Sequence, residues 1–193
     1  MRWPSRFRCA PWCTGLLLAT VVFAQDSVQD PEADAKAAAV RAAFLFKFAS
    51  YLTNELADPE KPAAEYRIGI VGDDATSAIA KKILPGKKVG EATITVVVIS
   101  AADAEAGRAI GKCDMLYIAA PIDDGSLKKI LAAHEKKPVP TLCERPGFAA
   151  AGGSIQFFIQ DGGVRFEVNK DRLREQRIKV SSGLLRHSLP GPR

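Results

Sequence analysis

The feature that most limits how this chain can fold is a repeated alternation of short β-branched runs with helical spacings. Tyr66-Arg67-Ile68-Gly69-Ile70-Val71 is a compact strand-like run that stops at Gly72-Asp73-Asp74. Residues 75–84 return to helical spacing through Ile79 and Ile83, and Pro85-Gly86 ends them. Residues 93–99 are β-branched almost throughout and read as a second strand. Residues 101–110 read as a helix, 114–119 as a third strand, and 140–143 as a short fourth one. A helix capped by Asp124 or Ser126 and running to about His134 separates the last two. Connections of this length carry crossovers, so these strands are expected to run parallel. Residues 155–160 and 164–169, joined by Asp161-Gly162-Gly163, then form a hairpin that adds antiparallel strands at one edge. Residues 171–177 read as a helix, 178–180 as extended, and Ser181 or Ser182 caps a last short helix. The expected fold is a single-domain α/β sandwich with a mostly parallel sheet and a C-terminal antiparallel hairpin.

The first 24 residues stand outside that pattern. Arg2, Arg6 and Arg8 precede the apolar run Gly15–Ala24, and polar Gln25 and Asp26 follow at once. A basic start, a short apolar core and Val22-x-Ala24 at its end read as a secretory signal peptide cut near Ala24. The run is shorter than the ~20 residues a membrane anchor needs. Losing those three arginines takes the formal net charge from +5 to +2. Export and a small net charge both argue against a nucleic-acid partner. Residues 25–36 are expected to be a flexible leader, 37–188 the folded domain and 189–193 a loose tail.

Within that domain, residues 34–56 read as a helix with Asp34 as its cap. Val40, Phe44, Leu45, Phe48, Tyr51 and Leu52 share one broad arc, and Phe46 falls nearly opposite. Arg41 lies inside the arc, where its stem can rest on apolar neighbours while its head reaches water. A helix apolar on both sides is either packed on both within its own domain or has a second partner, which makes Phe46 the candidate partner-binding residue. Gly72, Asp73 and Asp74 sit where a first strand meets its helix, the usual mouth for ligands in open α/β sheets. The plainer reading is a tight turn with Asp73 or Asp74 capping the next helix. The full G-x-G-x-x-G fingerprint is missing, and two carboxylates would repel a pyrophosphate. His134 and His187 are the only histidines, and no H-x-x-x-H, C-x-x-C or G-x-S-x-G occurs. No catalytic residue, cofactor or metal ligand is assigned. Cys113 precedes the third strand and Cys143 lies toward the end of the fourth. In level parallel strands that separates them by roughly 20 Å, against the ~7 Å a disulfide allows, so no Cys113–Cys143 bridge is expected.

Taken in order, several segments resemble the YfiR/HmsC family of small periplasmic proteins. They are Val40-Arg41-Ala42-Ala43-Phe44-Leu45-Phe46-Lys47-Phe48, Ile68-Gly69-Ile70-Val71-Gly72-Asp73-Asp74 and Cys113-Asp114-Met115-Leu116-Tyr117-Ile118. With them go Pro146-Gly147-Phe148-Ala149-Ala150-Ala151-Gly152-Gly153-Ser154-Ile155, Val164-Arg165-Phe166-Glu167-Val168-Asn169 and Ser181-Ser182-Gly183-Leu184-Leu185. The resemblance implies a Rossmann-like sandwich without a nucleotide, and regulation rather than catalysis. It implies binding to, and repression of, the periplasmic sensor domain of an inner-membrane diguanylate cyclase, relieved by a partner in the outer envelope. Cyclic-di-GMP and biofilm output follow from that. Three features differ from the family pattern, one of them a short C-terminal tail. Tyr51-Leu52-Thr53-Asn54 stands where a Trp-Pro pair is frequent, and Gly69 where many members carry a cysteine that would partner Cys113.

Three roles are therefore in view: a periplasmic protein-binding regulator, which the resemblance and the export signal favour; a small-molecule-binding module using the mouth at Gly72-Asp73-Asp74; and an exported enzyme of unrecognised type. A homodimer is compatible with each.

Overall fold

The computed structural model describes residues 31–57, 60, 63–108, 110–161 and 163–190. The expected signal peptide, residues 25–30 of the expected leader and the last three residues of the expected tail lie outside them. The elements in chain order are α1 (Pro31–Tyr51), β1 (Leu52–Asn54), β2 (Glu65–Val71), α2 (Ala75–Ile83), β3 (Lys88–Val89), β4 (Ala92–Ile99) and α3 (Ala101–Glu105). A short 3-10 turn (Ile110–Lys112) follows, then β5 (Met115–Ile118), α4 (Asp124–Ala133), β6 (Thr141–Cys143), β7 (Ile155–Gln160), β8 (Gly163–Val168), α5 (Lys170–Glu175), β9 (Ile178–Val180) and α6 (Ser182–Leu185).

The main sheet has seven strands in the order β3-β4-β2-β5-β6-β7-β8. The neighbours from β4 to β7 are all parallel, while β3 and β8 run antiparallel at the two edges. The fold is thus mixed α/β with a mostly parallel sheet, and the hairpin of β7 and β8 closes one edge as expected. The antiparallel β3 at the other edge is not legible in the sequence, because two residues carry no period. No helix among the described residues is long and apolar enough to cross a membrane.

Alternation along the strands sorts the core into two faces. Ile68, Ile70, Met115, Tyr117, Leu142, Ile155 and Phe157 point to the face covered by α1 and α2. Val71, Ile99, Leu116, Ile118 and Cys143 point to the other, covered by α3 and α4 through Ala104, Leu127, Ile130 and Leu131. The caps are local. Asp74, Ser100, Asp123, Asn169 and Ser181 each accept a backbone N–H at the start of the helix that follows. Asp123, rather than Asp124 or Ser126, therefore caps α4.

α1 differs from its expected form in three ways. It begins at Pro31, so residues 31–36, assigned to the leader, are helical and Asp34 does not cap it. It ends at Tyr51, because Leu52, Thr53 and Asn54 pair antiparallel with Val180, Lys179 and Ile178. Tertiary pairing here outweighs the helical spacing. The buried stripe is also rotated: Ala38, Ala42, Leu45, Phe48 and Ala49 are buried, whereas Val40 and Tyr51 are each 41% exposed. Alanines let the helix approach the sheet closely, and a count of large apolar residues does not see them.

Phe48 is the centre of this packing. Its ring lies 5.4 Å from that of Phe166, edge to face, and 6.1 Å from Phe157 and from Phe44. Phe48→Ala is expected to cost about 3–5 kcal/mol of stability, read as a lower midpoint in urea denaturation. A loss below about 1 kcal/mol would show that α1 does not depend on this ring.

Candidate functional site

The winding direction of the sheet changes between β2 and β5, which is where open α/β sheets bind ligands. Gly72 follows β2 with φ +83°, and a Cβ on it would lie 3.0 Å from that of Ala119, just past β5. Only glycine takes this turn so close to the neighbouring strand. Asp73 is exposed and pairs with Lys81 at 3.1 Å, and Lys81 holds its carboxyl below the usual range. Asp74 makes a capping box with Ser77: its carboxylate accepts the Ser77 N–H at 2.6 Å, and its own N–H donates to the Ser77 hydroxyl at 2.8 Å.

The second oxygen of Asp74 accepts a 2.6 Å hydrogen bond from the Tyr117 hydroxyl, which also lies 3.1 Å from Oε1 of Glu144. Thr76 donates to the same Glu144 oxygen at 3.1 Å, and Arg41 Nε stands 2.7 Å from the other. That Nε–H is not aligned on the oxygen, so the contact is an ion pair rather than a directed hydrogen bond. The Arg41 head therefore meets Glu144 through Nε while its side chain keeps 23% exposure, a pairing that helical spacing does not reveal. Burial raises the Glu144 carboxyl, and Arg41 opposes that rise. Burial also pushes the Tyr117 phenol far up, with Glu144 and then Asp74 adding to it, so it stays protonated and bridges two carboxyl groups with one proton.

This cluster ties α1, the start of α2, β5 and the end of β6 together at the strand ends. Of the three residues proposed for a ligand mouth, Asp74 is engaged in capping and in the Tyr117 bridge, Asp73 in an ion pair, and Gly72 in close backbone approach. Cavities of about 690 and 580 Å³ lie elsewhere on the surface, lined by none of the three. The helix-capping reading describes this turn. Arg41, Tyr117 and Glu144 were not singled out as a unit from sequence. They lie 76 and 27 positions apart in the chain, and nothing in local spacing joins them.

Phe46 is half-buried against the same core face, with Lys87 Nζ 5.6 Å from its ring centre. The Phe46 side of α1 is thus partly covered within the chain, while Val40 and Tyr51 stay exposed. The β5–β6 register sets Leu116 against Thr141 and Tyr117 against Leu142, which puts Cys143 several residues along the sheet from Cys113. Burial raises both thiols, Cys143 to about 11. Gly69 faces Cys113: a Cβ there would stand 2.9 Å from its Sγ. His134 caps the C-terminus of α4, fully buried, with Nδ1 2.7 Å from the Ile130 carbonyl and no partner at Nε2. Burial is the main cause that pulls its pKa down to about 4. His187 is exposed near the C-terminus.

Fold and site together define a mixed α/β protein whose switch point is filled by its own side chains. The chain belongs to the YfiR/HmsC-like family (DUF4154), whose model matches residues 38–188. Among solved structures it is similar to a conserved domain protein from Vibrio cholerae O1 biovar El Tor. That match has a TM-score of 0.50 at 13% identity and covers 78% of this chain and 58% of the other. The chain therefore spans little more than half the length of that structure, and the likeness is one of fold. A domain from Streptococcus pneumoniae, solved with L-Trp, aligns at a TM-score of 0.46 and 14% identity over 64% of this chain and 54% of its own. No curated protein matches the chain.

Two measurements check this geometry. Tyr117→Phe leaves the Asp74 and Glu144 oxygens without their shared donor and is expected to lower stability by roughly 1.5–3 kcal/mol, read by denaturant melting; an unchanged midpoint would remove the bridge from the account. For His134, a folded pKa of about 4 against the ordinary 6.5 means that the unfolded chain binds the proton first as pH falls. Stability is then complete above the ordinary value and drains away toward the folded one, by about 2 kcal/mol between pH 7 and pH 5. His134→Asn should flatten that part of the stability–pH curve. An equal slope in the variant would assign the loss to other groups.

Proposed function

We propose that this protein is an exported, non-catalytic regulator that binds the periplasmic sensor domain of an inner-membrane diguanylate cyclase and represses it. Cyclic-di-GMP and biofilm output are thereby lowered, and a partner in the outer envelope relieves the block. The observation that carries this reading is the family match over nearly all of the chain beyond the signal peptide. The basic, apolar, small-residue pattern of the first 24 residues supports delivery to the periplasm. The filled switch point supports it too, because the crevice that serves small ligands in related topologies is closed here by Asp74, Tyr117 and Glu144. We read the fold as a single-domain, Rossmann-like sandwich that works without a nucleotide.

Repression needs no chemistry. A protein that binds one conformation of a sensor tenfold more tightly than another shifts the equilibrium by about 1.4 kcal/mol. Taking the sensor from almost all active to almost all inactive needs about 5.5 kcal/mol of differential affinity. Deleting the gene is expected to raise cellular cyclic-di-GMP. A plasmid copy should restore the low level, and a copy lacking residues 1–24 should not. An unchanged level in a deletion strain that retains its cyclases would count decisively against this role.

A further inference from the structure

The cavity of about 690 Å³ is an open groove between the C-terminal half of α1, strand β8 and the segment around α6. Phe44, partly buried, lines it over the buried core residues Phe166 and Leu184. Tyr51 and Leu189 extend that surface toward solvent, 41% and 43% exposed. The charged residues that line it are all basic: Lys47 on α1, Arg165 on β8 and Arg186 at the end of α6, with His187 beside them and no carboxylate. None of the three cations forms an ion pair among the described residues. Lys47 instead rests over the Phe44 ring at 4.8 Å. This concentration is local, since the chain without its first 24 residues carries a formal charge of only +2.

An apolar floor with an unneutralised basic rim is complementary to an occupant with the opposite arrangement. We propose that this groove docks an acidic segment of the partner's periplasmic domain, one that also presents an aromatic or aliphatic side chain to Phe44, Tyr51 and Leu189. The proposal rests on the protein-binding role above and names the surface and the chemistry of its partner. Carboxylates on the segment pair with Lys47 and Arg186, which steers association and fixes orientation. Burial of the apolar anchor supplies most of the affinity.

The test uses the mature protein and, as probes, the individually purified periplasmic domains of the source organism's membrane diguanylate cyclases. Binding is measured by titration calorimetry at low and high NaCl. The variants are Lys47→Glu/Arg186→Glu, Leu189→Glu, and Lys82→Glu/Lys128→Glu as a charge control away from the groove. Thermal melting checks that each is folded. Support is a wild-type affinity that weakens with salt, falls at least roughly tenfold in the first variant, falls also in Leu189→Glu, and is unmoved in the control. Wild-type binding that survives both groove variants overturns the groove assignment and leaves the regulatory role standing. Absence of binding to every cyclase domain overturns the role and the groove's occupant with it. A wild-type dimer in sedimentation that the first variant dissociates assigns the groove to a second copy of this chain instead, and overturns the proposal.

Discussion

Five mutually parallel strands make a sheet whose two faces are both apolar, and such a sheet is stable only if both faces are covered. On one face the crossover helices α3 and α4 do this in the ordinary way. On the other, α2 covers only part, and α1, which precedes the first strand of the sheet, must supply the rest. A helix outside the strand–helix repeat has no short connection to hold it in place. It is held at its end by β1, paired with β9, and near its middle by Arg41 against Glu144. Between these, Phe48 packs on Phe157 and Phe166 of the hairpin. Placement of α1 is therefore the constraint on which the core, the switch point and the groove all depend.

That constraint also accounts for what stands at the strand ends. A half-buried carboxylate without partners costs several kcal/mol, and Glu144 is desolvated there because α1 lies across it. Arg41, Thr76 and Tyr117 offset the cost from three different elements. The same groups that secure the helix occupy the crevice, so attachment of α1 and closure of the switch point are one event. Opening the crevice to a ligand would mean freeing Glu144 and Asp74 together.

The order of the longer elements was legible because β2 and β4 carry β-branched runs, β8 alternates, and each later helix has its own capping residue. The turn at Gly72-Asp73-Asp74 was legible for the same reason: Asp74 and Ser77 are three residues apart, and the capping box is a local object. What could not be read was whatever arises from contact between distant segments. β1 looks like the end of a helix until β9 claims it. The buried stripe of α1 runs through Ala38 and Ala42, whose small side chains count little in a hydropathy pattern but permit close approach to the sheet. Arg41 looks like a snorkelling side chain because Glu144, far along the chain, is invisible to helical spacing. Phe46 leaves both readings of α1 open in the sequence because the segment between α2 and β3, which brings Lys87 over it, is placed only by tertiary packing.

The groove has the same origin. Antiparallel pairing of β1 with β9 brings the first helix and the last segment of the chain to one side of the molecule. β8, as an edge strand, would otherwise present a row of unpaired backbone groups. The Leu189 N–H bonds to the Phe166 carbonyl at 2.8 Å, so the C-terminal segment covers part of that edge. It covers the backbone and keeps Phe166 and Leu184 buried, but it leaves Phe44 only partly covered and Tyr51 and Leu189 open to solvent. A helix end and an edge strand are the two places where polar side chains are freest to vary without disturbing packing. That both are basic here, in a chain of small net charge, places the charge where it can act on a partner rather than on the fold.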